Sequence, residues 1–127
     1  MIAQLITRLQ AADVGYETIQ HAWTLDALDA INETMPLALF VPGPADAEPS
    51  ASLPIRQRVT ETVVVVTICQ WAELDSLRSG LYGALLGYQH GSAYTELEYR
   101  QGEVNRIGGS IVQWMDMFFC HRWIQPT

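Results

Sequence analysis

The sequence predicts an α+β fold: a mostly antiparallel sheet of about five strands with helices packed on it, in the order α-β-α-β-β-α-β-β, as one domain over residues 1–127. Three observations carry this. The closing third, Leu97 to Ile124, contains two strand-like runs meeting at Gly108-Gly109, the glycine pair of a hairpin turn. A second long run, Arg56 to Gln70 (RQRVTETVVVVTICQ), begins with polar alternation and becomes apolar on both faces from Val63. Between them, Glu73 to Tyr88 has helical periodicity, with Leu74, Leu77, Leu81, Ala84, Leu85 and Tyr88 in one stripe.

The remaining elements follow in chain order. Ile2, Leu5, Ile6 and Leu9 fall on one helix face, and Gly15 is a suitable stop. Residues 16–21 read as a short strand. Thr24 is a good N-cap for a second helix through Leu25, Leu28, Ile31 and Met35, with Asp26 in its first turn, and Pro36 ends it. Leu37 to Val41 reads as a short buried strand. Pro42 to Pro54 (PGPADAEPSASLP) carries four prolines and reads as a long loop, of the kind that is functional or mobile. Gly80, Gly83 and Gly87 share a face of the Glu73–Tyr88 helix. Each costs about 1 kcal/mol against alanine, so close packing is expected there. Thr95 to Ile107 alternates as a strand, with Gly102 as a candidate bulge.

The last strand, Ser110 to Ile124 (SIVQWMDMFFCHRWI), is apolar on both sides. Ile111, Met115, Met117, Phe119 and Trp123 point one way, and Val112, Trp114, Phe118 and Cys120 the other. A strand of this kind needs cover on both faces, and a partner subunit is the simplest source. Length argues similarly. Fifteen extended residues span about 50 Å at roughly 3.3 Å each, against a diameter of about 36 Å for a compact domain of this size. The strand must bend or run past its own domain.

Composition narrows the function classes. The chain is 49% apolar and 17% charged, which is globular. No apolar run reaches the roughly 18 residues of a membrane span. MIAQLITRLQ lacks a basic n-region, so a cytoplasmic origin is expected. All seven basic residues are arginines: Arg8, Arg56, Arg58, Arg78, Arg100, Arg106 and Arg122. Without lysine there is no GxxxxGK phosphate loop and no Schiff-base chemistry. Fourteen acidic residues give a net charge of −7, which opposes tight DNA binding. Cys69 and Cys120 lie in apolar strands and read as reduced core residues. A disulfide is open only if their strands are neighbours.

Candidate chemistry is sparse. His21, His90 and His121 are scattered, with no nucleophile–base spacing. Asp116 shares a face with Trp114 and Phe118, so it needs an ion-pair or hydrogen-bond partner, such as an arginine of another subunit. Glu96 and Glu98 share a strand face open to a divalent cation, though a solvated face is the simpler reading. The four tryptophans read mostly as core, with Trp123 as the best interface anchor.

Taken together, MIAQLITRLQ, the strand ending LALFVP, the Pro-rich loop before RQRVTETVVVVTI, the helix LDSLRSGLYGALLGYQ and the hairpin ending GSIVQWMDMFFCHRWI resemble the tail terminator (tail completion) proteins of long-tailed bacteriophages. The resemblance covers nearly the full chain. It implies a non-enzymatic virion protein, placed at the head-proximal end of the tail and in the host cytoplasm during assembly. Such subunits form a homohexameric ring that caps the tail tube, ends its polymerisation and offers a surface for head joining. The implied partners are the major tail tube protein and a connector or stopper protein, with DNA passing through the lumen unbound. No cofactor is implied. A hexamer multiplies the −7 charge, so Mg²⁺ is expected to favour ring assembly. The expected subunit contacts are Arg56, Arg58, Glu61, Asp116 and Trp123, and the expected docking loop carries Pro44, Asp46 and Glu48. Two alternatives stand beside this. One is a connector or stopper subunit. The other is a small cytoplasmic enzyme or ligand-binding dimer with Asp116 and His121 facing a pocket.

Overall fold

A computed structural model describes residues 1–23 and 35–126. The elements are α1 (Ile2–Ala12), β1 (Thr18–His21), β2 (Leu37–Ala47), β3 (Gln57–Gln70), α2 (Trp71–Leu85), β4 (Glu98–Gly108) and β5 (Ile111–Ile124). They build one five-stranded sheet in the order β1-β2-β3-β5-β4. Only β1–β2 is parallel, and the other three pairings are antiparallel. The α+β class and the element order are as the sequence predicts. The helix expected from Thr24 to Met35 falls on residues 24–34, outside the described residues.

The two long strands form the spine. β3 and β5 pair in unbroken register from Gln57↔Ile124 to Gln70↔Ile111. Fourteen residues each give about 46 Å at roughly 3.3 Å per residue. On the helix-bearing face, Ala38, Phe40, Val63, Val65, Phe118 and Cys120 pack with Leu5 and Leu9 of α1 and Leu81 and Leu85 of α2. On the opposite face Leu37, Leu39, Val41, Val64, Val66, Ile68 and Met115 form a second buried cluster. The two-faced apolar strands therefore bury their centres within one chain, and the partner subunit expected as the simplest cover is not needed there. Only the far ends, from Gln57 and up to Ile124, run out of the core.

Several boundaries move for local reasons. β2 continues to Ala47, so Pro44 and Asp46 lie in a strand and the loop begins only at Glu48. Among the described residues β1 pairs only as far as Phe40, leaving β2 an edge strand beyond it. There a register shift between Pro42 and Ala45 accommodates both prolines, because an edge or bulge asks for no amide donor. α2 starts at Trp71, two residues earlier than expected, because Gln70 and Glu73 form a reciprocal capping box. It ends at Leu85, since Gly87 turns the chain at φ 83°. The expected packing of the glycine face holds only for Gly80, where a Cβ would sit 2.8 Å from Val14 Cγ1. Gly83 faces open space. β4 begins at Glu98, after Tyr94 makes an isolated bridge to Arg122. The β4–β5 turn is Gly109-Ser110, with Gly109 at φ 61°.

Cys69 and Cys120 are both buried and free. Their strands are neighbours, but Cys69 pairs with Val112 whereas Cys120 pairs with Glu61. The eight-residue offset on β3, from 69 to 61, is about 26 Å at roughly 3.3 Å per residue, beyond any disulfide.

Candidate functional site

Two polar constellations stand out, one inside the sheet-and-helix layer and one at the end of the spine. The inner one centres on Asp116, which is 0% exposed. Its Oδ1 accepts hydrogen bonds from Tyr99 Oη at 2.9 Å, Tyr82 Oη at 3.0 Å, Trp114 Nε1 at 3.1 Å and Arg78 Nη2 at 3.4 Å. The Arg78 guanidinium lies 4.3 Å from the Trp114 ring centroid. One carboxylate oxygen thus ties α2, β4 and β5 together, while Oδ2 makes no hydrogen bond.

The electrostatics follow from burial. Burial pushes the Tyr82 hydroxyl pKa up, and its bonds to Tyr99 and Asp116 push it further. Burial works against the charge of Arg78, but the adjacent Asp116 carboxylate outweighs it and holds the guanidinium protonated. Gly102 pairs opposite Asp116. A Cβ there would lie 2.7 Å from Asp116 Oδ1 and 2.9 Å from Trp114 Nε1, so the cage admits no side chain at this position. The register shifts of β4 flank Gly102, between Tyr99 and Gln101 and between Val104 and Arg106, rather than falling at it.

Asp116 is therefore placed away from any surface, and its arginine is Arg78 of the same chain. The expectation of Asp116 at a subunit contact is corrected. The ligand-pocket alternative meets a related obstacle. Asp116 and His121 project from opposite faces of β5 because their numbers differ in parity. His121 instead bonds Thr60 Oγ1 through Nδ1 at 3.0 Å and lines a shallow groove with Asp46, Glu48 and Arg58.

The outer constellation gathers most of the remaining sequence candidates. Arg58 pairs directly opposite Trp123. The Arg56 guanidinium stacks 4.2 Å from the Trp123 ring centroid. Glu48, Arg56, Arg58 and Trp123 line one groove of about 350 Å³ with Pro49, Ala51 and Ser52. Glu61 lies further in and contacts Arg122 Nε at 2.7 Å, a charge contact without the alignment of a hydrogen bond. Pro44 is in the bulged part of β2, apart from the groove. Glu96 and Glu98 are exposed. Among the described residues no group of three or more His, Cys, Asp or Glu side chains is placed to hold a metal. No described helix is long and apolar enough to cross a membrane.

The reading of the tryptophans as mostly core is also corrected. Trp23, Trp71 and Trp123 are 77%, 45% and 47% exposed. The Asp116 cage was missed as a unit, although its signals are local. Arg78 and Tyr82 are four apart on a helix, and Trp114 and Asp116 two apart on a strand.

No family model and no curated protein matches the chain. Among solved structures it is similar to a chain of the "virion of native gene transfer agent (GTA) particle", at TM-score 0.60 and 15% identity, over 94% of this chain and 90% of that one. At that identity the likeness shows a shared fold.

Proposed function

We propose that this chain is a structural component of a phage-like virion, and within it a tail terminator. In this reading it forms a homohexameric ring on the head-proximal end of the tail tube, stops tube growth and offers a surface for a connector or stopper protein. The observation that carries the reading is the fold shared, nearly end to end, with a chain of a gene transfer agent virion. The order of elements in the sequence, which resembles phage tail terminators, supports the finer assignment. So does the spine, whose polar end runs beyond the core and leaves Trp123 and Ile124 exposed, as contact-forming apolar residues are. The net charge of −7 suits a lumen along which DNA slides without sticking.

Native mass spectrometry of the purified protein tests this, with and without Mg²⁺ and with tail-tube protein added. The expected result is a species of six times 14.2 kDa, favoured by Mg²⁺ because subunits of net charge −7 must be brought together. A strict monomer or dimer in every condition, tube protein included, would refute the ring.

A further inference from the structure

The two ends of the sheet differ in chemistry. At the tip, the groove under Trp123 is walled by Arg56 and Arg58 against one carboxylate, Glu48. Inside this groove guanidinium groups outnumber carboxylates, and the next carboxylate, Asp46, lies in the adjoining groove that Glu48 and Arg58 also line. Beside it Leu53 and Ile55 are exposed apolar residues. Most other arginines are engaged elsewhere: Arg78 with Asp116, Arg122 with Glu61, Arg8 with the Ala84 carbonyl and Arg100 over Phe119.

At the base, where β3 passes into α2, Trp71 is exposed and its amide donates to the Ser110 carbonyl. Glu73 and Asp75 follow Trp71 on α2. The segment from Asp13 to Glu17 comes to this end through Gly15 against Leu77 and the Glu17 amide on the Pro36 carbonyl, beside Leu37↔Ile68. All four carboxylates are exposed, and Arg106 on β4 lies at the same end. One end therefore presents a tryptophan among carboxylates. The other presents a groove between guanidinium groups.

Among the described residues, the edge at β4 and the stretch of β2 beyond β1 do not offer a competing route. β4 pairs only with β5, but its charged residues (Glu98, Arg100, Glu103, Arg106) and two register shifts guard it against adding a strand. The free stretch of β2 carries Pro42 and Pro44, which lack amide hydrogens. Tip-to-tip pairing would set arginines against arginines, and base-to-base pairing carboxylates against carboxylates. Of the pairings between these two ends, tip-to-base is the complementary one, and such a heterologous contact closes into a ring when its rotation allows.

We propose that copies of this chain associate head to tail, with Trp71 of one copy entering the Arg56–Arg58–Trp123 groove of the next, and Asp75 and Glu17 facing those arginines. A groove of about 350 Å³ has room for an indole, since a cavity of about 150 Å³ already holds a benzene ring. A buried aromatic ringed by charge pairs is the usual form of an interface hot spot. The proposal rests on the ring reading above and adds to it the surfaces and their polarity.

Charge reversal tests it. One variant reverses the tip (Arg56→Glu with Arg58→Glu) and one reverses the base (Glu17→Arg with Asp75→Arg), both at exposed positions. Far-UV spectra and melting confirm that each folds, and native mass spectrometry reads the assembly state. Each variant alone should assemble roughly tenfold or more weakly than the wild type, as should Trp71→Ala. An equimolar mixture of the two reversed variants should regain assembly, because every tip then meets a base of opposite sign. Rings that persist in both reversed variants would overturn the head-to-tail contact while leaving the ring itself intact. A base reversal without effect beside a disruptive tip reversal would overturn the base as the surface that the tip meets. A wild-type chain that never assembles would remove the ring and this contact together.

Discussion

The protein contains two arginine–tryptophan stacks of nearly the same geometry and opposite setting. Arg78 lies 4.3 Å from the Trp114 ring, and Arg56 lies 4.2 Å from Trp123. The first stack closes a cage around a carboxylate that is 0% exposed. The second stands in solvent at the end of a β ribbon. The difference shows that a residue pair does not carry its role with it. In the interior, the cation is committed to Asp116 and to the hydroxyls of Tyr82 and Tyr99, so the pair fixes the relation of α2 to the β4–β5 hairpin. At the tip the same pair has water as its competitor and contributes little to folding. It keeps its aromatic face available to another molecule.

The sharpest way to break this contrast is to delete the carboxylate. Asp116→Ala removes the acceptor shared by four donors and leaves Arg78, Tyr82, Tyr99 and Trp114 converging on a site without one. Urea denaturation should show a loss of about 3 kcal/mol. A loss below about 1 kcal/mol would mean that the cage is as weakly coupled to folding as the tip.

Alkaline pH probes the same interior with a smaller effect. Burial raises the Cys69 thiol from 9.0 to about 11, with Glu73 adding to it. Burial also raises the Cys120 thiol, and it raises Tyr16 and Tyr82 above the ordinary tyrosine value. In each case the folded chain holds its proton more tightly than the unfolded one. Their stabilising contribution is complete below pH 9 and is lost as the pH climbs toward 11 and beyond. The Cys69 thiol alone should lower the free energy of unfolding by on the order of 2 kcal/mol over that interval, and the other groups add to the fall. A stability that is flat from pH 8 to 11 would contradict the burial of these groups.

The smallest effect belongs to the tip. Trp123→Ala should change the stability of the isolated chain by less than about 1 kcal/mol, because an exposed cation–π pair is worth about 0.5–1 kcal/mol. A larger loss in thermal melting would make the tip part of the core and erase the distinction between the two stacks.

Much of the fold was legible in the chain. The period of two in Arg56–Gln70 and Ser110–Ile124, the glycine hairpin and the leucine stripe of α2 specify strands and helix without reference to anything distant. Errors gathered where a neighbour decides. Pro42 to Ala47 reads as loop by composition. It is strand because β1 stops at Phe40 and leaves an edge where proline costs no hydrogen bond. Trp71 reads as core by residue type. It is exposed because the Gln70–Glu73 capping box starts α2 early and sets the indole in its first, outward-facing turn.

The sites divide in the same way. The sequence by itself determined which side chains share a face: Trp114 with Asp116 and Phe118 on β5, and Arg78 with Tyr82 on α2. That follows from the periods of two and 3.6, which are properties of the local backbone. Only the tertiary structure decided that these two faces meet, that Arg78 of the same chain answers Asp116, and that Arg56 and Arg58 flank Trp123 across the β3–β5 register. Those contacts depend on packing among segments 34 or more residues apart, and no local periodicity encodes which distant segment fills a given space.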